Sequence, residues 1–413
     1  MTTTPSALEG IRVIDMSRVF AAPMGAQILG DLGADVIKIE RPGVGDDGRG
    51  YGFSWIKGKD GIETRHSSFF TVSNRNKRSI TLNHSKPEGQ EIIRRLAETA
   101  DVLIENYKVG DLKRFGLDYE SLKAINPRLI YCSVTGFGQT GPMAARPGYD
   151  GLFQATGGMM AVTGIPEGQP GAGPLKTGPS LVDFVTGHNT ALAILGALMH
   201  RNRTGQGQYI DIALLDSSVA MVSHIMQDYL ISGAAPPRLG NGGNGGGPAD
   251  LMQCRDGIVY LTAGTDEHWR RLTVLMEQPE LFTDPRFDSN LKRGKANRAE
   301  LMGIINHWAG QRTVAEIMAA LDEVGIPAAR YNELPDVWEE PQVRHRKLRT
   351  TTPHPFAETG SVDLIASPLA QMSASPAAIR RPPPMLGEHT REILVELGYD
   401  EARMAQFEEL EVI

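Results

Sequence analysis

Cysteine is almost missing from this chain: only Cys132 and Cys254 occur in 413 residues, both in apolar surroundings. A disulfide framework or a cysteine-built metal site is therefore not expected; core packing in a reducing compartment is. Long hydrophobic runs are missing too. The longest, near ALAILGALM, is far short of a bilayer span, and the opening MTTTPSALEG has neither the basic end nor the apolar stretch of a signal peptide. These absences predict a cytoplasmic protein with no membrane partner. There is no excess of positive charge, 42 basic residues standing against 49 acidic for a net charge of −7, which argues against nucleic acid as a partner. A local basic rim for a small anion remains compatible with that balance.

Several catalytic signatures are absent as well. No glycine-rich turn follows the first strand, where IDMSRVFAAPMG stands instead, so a dinucleotide fingerprint is not supported. No GxxxxGK[ST] loop, GxSxG elbow or HExxH pair occurs. His188, His224 and His268 lack ligand spacing and read as surface or packed residues, so no metal is expected.

What is present is a repeated alternation of strand and helix. GIRVIDMSRVFAAPMGAQILGDLGADVIKIERP reads as strand, loop, helix and strand, with Pro23 opening the helix. RSITLN, DVLIEN and LIYCSVTG are further strands, separated by the helical stretches KPEGQEIIRRLAETA and LKRFGLDYESLKAIN. Such alternation predicts an α/β fold with a mostly parallel, Rossmann-like sheet covered on both faces. QYIDIALLDSSVAMVSHIMQDYLIS passes from a strand into a long helix, and composition then shifts at GAAPPRLGNGGNGGGPADLM. The reading divides the chain into a large domain over 1–220, a linker, glycine loop and smaller α+β domain over 221–327, and a return segment over 328–413 that completes the large domain.

One stretch carries chemistry. In KTGPSLVDFVTGHNTALAILGALMHRNRTGQG, Gly178 and Pro179 interrupt the chain, Ser180 is a good N-cap, and Asp183 falls near the third position of an apolar helix. A carboxylate there can serve as a capping residue, held by free amides and the helix dipole. The same surroundings can also hold it ionised and aimed, as a carboxylate nucleophile in a dry site requires.

Six motifs in order, from the LEGIRVIDMSRVF segment through NRNKRSITLN, ADVLIENYKVGDLKRFGLDYESLKAINPRLIYCSVTGFGQTGP, GYDGLFQATGGMM and TGQGQYIDIALLDS to the terminal PPPMLGEHTREIL, resemble the class III CoA-transferases. That family includes formyl-CoA transferase and carnitine CoA-transferase. The resemblance runs from about residue 8 to the C-terminus and implies that Asp183 is the nucleophile. It would attack a donor acyl-CoA to give an aspartyl acyl anhydride, then an aspartyl-CoA thioester from which CoA passes to an acceptor carboxylate, with coenzyme A or its acyl ester as substrate. Matching positions imply CoA contacts from Val19, Ala21, Arg41, Asn106, Tyr107 and Arg114; a lysine contact of the family falls near Ser85 and Lys86. The glycine loop, including Gly245, Gly246 and Gly247, resembles the family's lid. Asp150 in GYDG stands where the family has an acidic residue near its site, with Tyr149 before it. Phe20 replaces the glutamine of formyl-CoA enzymes and is expected to wall an apolar part of the acyl pocket. Lys176 and Arg146 lie near the site by sequence and suit a second carboxylate, so a dicarboxylate such as succinate is expected as donor or acceptor. Alternatives are a 2-methylacyl-CoA racemase of the same fold, disfavoured because Tyr149 stands where those enzymes have histidine, and a non-catalytic CoA-binding paralogue. The family's interlocked homodimer is implied for this chain too.

Overall fold

A computed structural model describes residues 5–243 and 246–413, which form two compact units. The first comprises Met1–Met159, Thr177–Met226 and Gln342–Ile413, and the second Met160–Lys176 and Gln227–Pro341. The divisions at 226/227 and 341/342 differ from the sequence reading's 220/221 and 327/328, and Met160–Lys176 groups with the second unit.

The first unit is built on six parallel strands: β1 (Arg12–Asp15), β2 (Asp35–Glu40), β3 (Lys77–Thr81), β4 (Val102–Glu105), β5 (Ile130–Thr135) and β6 (Tyr209–Ala213). Their order across the sheet is β6-β5-β4-β1-β2-β3. Val13 is in register with Val36 on one side and Val102 on the other. Strand order therefore reverses direction between β1 and β4, which opens a crevice beyond their carboxyl ends. The strands are rich in Val and Ile because both faces are covered, as in a parallel sheet. Ile14, Ile37, Ile80, Leu103 and Tyr131 join one core with Ile92, Ile93 and Leu96 of the helix over Pro87–Thr99.

Helix α1 (Ala21–Asp31) begins two residues before Pro23 and packs against α2 (Leu181–Thr204), the long helix that carries Asp183. Gly25 and Gly187 make that contact possible: a Cβ on Gly25 would stand 2.8 Å from Thr190 Cγ2, and one on Gly187 2.8 Å from the Ala21 carbonyl oxygen. By length and composition α2 is apolar enough to cross a bilayer, more than the short run in the sequence suggested. Here Val182, Ala191, Ile194 and Leu198 are buried within the first unit. LKRFGLDYESLKAIN is not one helix but two short pieces, 112–115 and 119–125, because Gly116 turns left-handed at φ +64°. The helix expected after β6 likewise breaks at Val222, between 214–221 and 223–232.

The return segment ends in helices α3 (Thr390–Glu396) and α4 (Glu401–Glu409), whose Ile393, Leu394, Met404 and Phe407 enter the first unit's core. The sheet carries a buried ionic cluster that includes Asp15, Lys38 and Lys77, with the buried pair Glu40–Arg49 beside Lys38. The second unit has an antiparallel sheet, Ala249–Gln253, Ile258–Thr262 and Ala328–Arg330, over a core that includes Trp269, Phe287, Leu301 and Ile305.

Candidate active site

A cavity of about 240 Å³ opens at the β1/β4 reversal. Arg18, Val19, Phe20 and Ala21 line it from the turn after β1, Asn106, Tyr107 and Lys108 from the turn after β4, and Thr135 and Gly136 from the end of β5. Residues 144–149, including Arg146 and Tyr149, form another wall, and Asp183 completes it.

Asp183 is the third residue of α2, as its surroundings in sequence predict, but it does not cap the helix. Ser180 makes no side-chain cap bond either. Asp150 does so instead, from a separate helix (Asp150–Thr156): its Oδ1 accepts from the amides of Val182 (2.8 Å) and Asp183 (3.3 Å). Gln154 Nε2 donates to Asp150 Oδ2 at 2.6 Å, and Gln154 Oε1 in turn accepts from Thr177 N–H at 2.9 Å. The helix end thus stabilises the charge of Asp150, which is only 6% exposed. Asp183 has no side-chain hydrogen bond among the described residues. Burial, and then the neighbouring Asp150 carboxylate, push its pKa up to about 7. The expectation that the helix terminus keeps Asp183 anionic is therefore corrected: Asp150 takes the amides, and Asp183 is left poised between its two protonation states near neutrality. An under-solvated carboxylate without donors has its lone pairs available for attack.

The apolar side of the cavity is aromatic. Phe20 is buried and meets Phe184 edge-on with centroids 4.9 Å apart, while Phe69 lies 4.6 Å from it on another side. Phe20 thus lines the same cavity as Asp183.

The lining also carries the cations Arg18, Lys108 and Arg146, whereas Arg41 does not line the cavity. Arg18 reaches Asp47 at 3.0 Å and stands 5.2 Å over the Tyr107 ring; Arg41 reaches the other oxygen of Asp47 at 2.7 Å. Asn106 holds the Arg18 backbone with two bonds, accepting from its N–H (2.9 Å) and donating to its carbonyl (2.7 Å). Lys108 and Arg146 are exposed. These cations fit a phosphate-bearing substrate such as CoA. Arg18 and Asp47 escaped the sequence reading, although the acidic pair in GVGDDGRG directly after Arg41 was the available signal.

Other expected residues lie elsewhere. Arg114 is exposed, 3.7 Å from Asp111 and stacked on Phe115, and it does not line the cavity. Lys86 is engaged by the C-terminal segment, donating to the Leu410 carbonyl and standing 3.5 Å from Glu411, and it does not line the cavity. Ser85 is bound locally through its N–H to Asn83 at 3.1 Å. Gly246 and Gly247 belong to the second unit, where Gly247 N–H donates to Asn290 Oδ1 at 2.8 Å and its carbonyl accepts from the buried Arg293 at 3.0 Å. Gly245 lies outside the described residues.

Comparison with known proteins agrees with this geometry. The model of "CoA-transferase family III" matches residues 8–390. The succinate–glutarate CoA-transferase of Agrobacterium fabrum is 41% identical over 401 residues, covering 96% of this chain and 98% of that protein. The succinyl-CoA:glutarate CoA-transferase of Mus musculus is 38% identical, covering 95% and 87%. Among solved structures, a CAIB/BAIF family protein from Brucella suis superposes with a TM-score of 0.84 at 39% identity, covering 95% of this chain and all of that one.

Proposed function

Because the chain belongs to CoA-transferase family III and is a class III CoA-transferase, we propose that it moves CoA between two dicarboxylic acids, with Asp183 as the covalent carrier. One observation carries the reading: Asp183, a half-buried carboxylate with no side-chain hydrogen bond among the described residues, lines a cavity together with Phe20 and the cations Arg18, Lys108 and Arg146. Asp183 attacks the thioester carbonyl carbon of the donor, the C–S bond breaks, and CoA leaves as thiolate. The thiolate then attacks the aspartyl carbonyl of the resulting anhydride, which releases the donor acid and leaves an aspartyl-CoA thioester. The acceptor carboxylate attacks that thioester and CoA thiolate departs again. Its return to the acceptor's carbonyl regenerates Asp183. Two thioesters exchange, so the balance needs no further energy source, and every intermediate is open to hydrolysis, which makes exclusion of water essential.

The dicarboxylate class is supported by the relatives' names and by Arg146, an exposed cation on the cavity wall for which no side-chain bond is seen among the described residues. A charge-assisted pair of that guanidinium with the far carboxylate is worth about 1.5–3 kcal/mol. Arg146→Gln should accordingly lower kcat/KM for glutarate or succinate by about 10–100-fold, while a monocarboxylate of equal length changes by less than about threefold. Equal losses for both acids would remove Arg146 from substrate recognition.

The covalent route is tested by intact-protein mass spectrometry after mixing with succinyl-CoA. Wild type should give a hydroxylamine-sensitive adduct on Asp183, and Asp183→Ala none. Absence of any adduct, with exchange of the substrate's Cα proton in D₂O, would favour racemase chemistry instead. The resemblance also supports a homodimer, expected in light scattering at twice the chain mass of 44.9 kDa.

A further inference from the structure

The turn that joins β1 to α1 lines the cavity and is held from outside it by Asp46. Val19 has φ +72°, a left-handed conformation that is a genuine outlier for a β-branched residue. Such a conformation persists only where its surroundings over-determine it. They do so here. Asp15 accepts from Ser17 N–H at 3.0 Å, Lys38 Nζ donates to the Ser17 carbonyl at 2.9 Å, and Asn106 holds Arg18 at both N–H and carbonyl. Val19 N–H is taken by Asp46 Oδ1 at 2.8 Å.

Asp46 is itself fixed. It is 2% exposed, its Oδ1 also accepts from Gly48 N–H at 2.8 Å, and its Oδ2 meets the fully buried Lys38 ammonium at 2.8 Å. Its own N–H donates to Glu40 Oε2 at 3.0 Å. The next residue after Val19 is Phe20, whose ring rests against Phe184, the neighbour of Asp183. Asp46 does not line the cavity.

We propose that Asp46 is a positioning residue for CoA transfer: anchored by Lys38, it locks Val19 in the left-handed turn and thereby sets Phe20 against Phe184 beside Asp183. The inference rests on the reading of Asp183 as the covalent carrier. Its reach follows from the sensitivity of covalent catalysis to displacements on the order of 1 Å.

The test is a double-mutant cycle between Asp46→Asn and Val19→Gly. Asparagine cannot present an acceptor to both Val19 N–H and the Lys38 ammonium, since one of its side-chain atoms is an NH₂ donor. Glycine adopts positive φ without strain, so in the Val19→Gly protein the turn no longer depends on the clamp. In the wild-type background, Asp46→Asn should lower kcat by about tenfold or more with a smaller change in the donor's KM. In the Val19→Gly background the same substitution should lower kcat by less than about threefold. Equal losses in both backgrounds would overturn the proposal, because a merely structural Asp46 has no reason to couple to residue 19. Melting curves on all four proteins establish that each is folded at the assay temperature. If Asp46→Asn does not fold, Gly48→Ala serves: its methyl would stand 3.1 Å from the Val19 carbonyl oxygen with every charge left in place. A loss of kcat is then expected, and wild-type kcat would overturn the proposal. Asp183→Ala is assayed alongside. If it retains transfer activity the carrier reading fails, whereas an inactive Asp183→Ala with an additive cycle sinks only the role of Asp46.

Discussion

Asp183, the proposed carrier, owes its raised pKa first to burial and then to Asp150, a residue 33 positions away in sequence. Asp183 was legible from its motif and from its place in the first turn of a helix, but its titration was not, because Asp150 comes from a different helix and takes the amides that a local reading assigns to Asp183. A pKa near 7 means that the attacking form is the minority species in mild acid. In the free enzyme kcat/KM for succinyl-CoA should therefore rise about tenfold per pH unit below that midpoint and level off above it. Asp150→Asn removes the neighbouring charge, so the midpoint should move to lower pH; an unmoved midpoint would mean that burial alone sets it. The same shift has a cost in stability. Since its folded pKa lies above the ordinary 3.8, the contribution of Asp183 to stability is fully present below about pH 4 and is lost as pH rises through about 7. Asp183→Asn should thus be more stable than wild type at pH 8 by about 2–4 kcal/mol, with the gain vanishing near pH 4. Urea unfolding at the two pH values measures this, and an equal ΔG at pH 8 would place the carboxylate in a wetter site than the geometry gives it.

At the scale of elements, the strands were legible because buried parallel strands are continuous Val/Ile runs, and the helices between them because of their spacing. Their breaks were less so. Gly116 signals its turn, but nothing in VAMVSHIM marks the interruption at Val222. Nor did sequence reveal how closely α1 and α2 approach, which is what holds Asp183 over the crevice. Gly187 lies one helical turn after Asp183 and touches the backbone of Ala21, so a methyl there has to displace one helix from the other. Gly187→Ala gains intrinsic helix propensity of about 1 kcal/mol but forces overpacking that costs about 1–3 kcal/mol. Overpacking wins on this account: Tm should fall by a few degrees and kcat by more than the loss of folded protein explains. Unchanged kcat would show that the helices absorb the methyl without moving the carboxylate.

For the molecule as a whole, the sequence's composition argued for a large core and its layout for a C-terminal segment that returns to it, and the core is shared by segments more than 300 residues apart. Asn83 N–H donates to the Val412 carbonyl at 2.7 Å, and Arg78 pairs with both Glu392 and Glu396. Two kinds of interaction hold this return segment, and their magnitudes decide which governs. Glu392 and Glu396 are 50% and 37% exposed, so each pair contributes at most about 1 kcal/mol after solvent screening. Ile393, Leu394, Met404, Phe407 and Val412 are at most 4% exposed, and burying each contributes about 1.5–3 kcal/mol. Together these five residues account for about 7–15 kcal/mol, as large as the whole stability of an ordinary domain. A chain ending at Gly387 should therefore yield no cooperatively folding first unit, whereas Glu392→Gln with Glu396→Gln should lower stability by about 2 kcal/mol or less. Raising salt to about 0.5 M should leave the return segment docked, because screening acts on the pairs and not on apolar burial. Thermal melts and limited proteolysis of the three proteins separate the cases. A folded, protease-resistant truncation would mean that the core of the first unit closes without its last two helices, and that the order of the chain, not its packing, places them there.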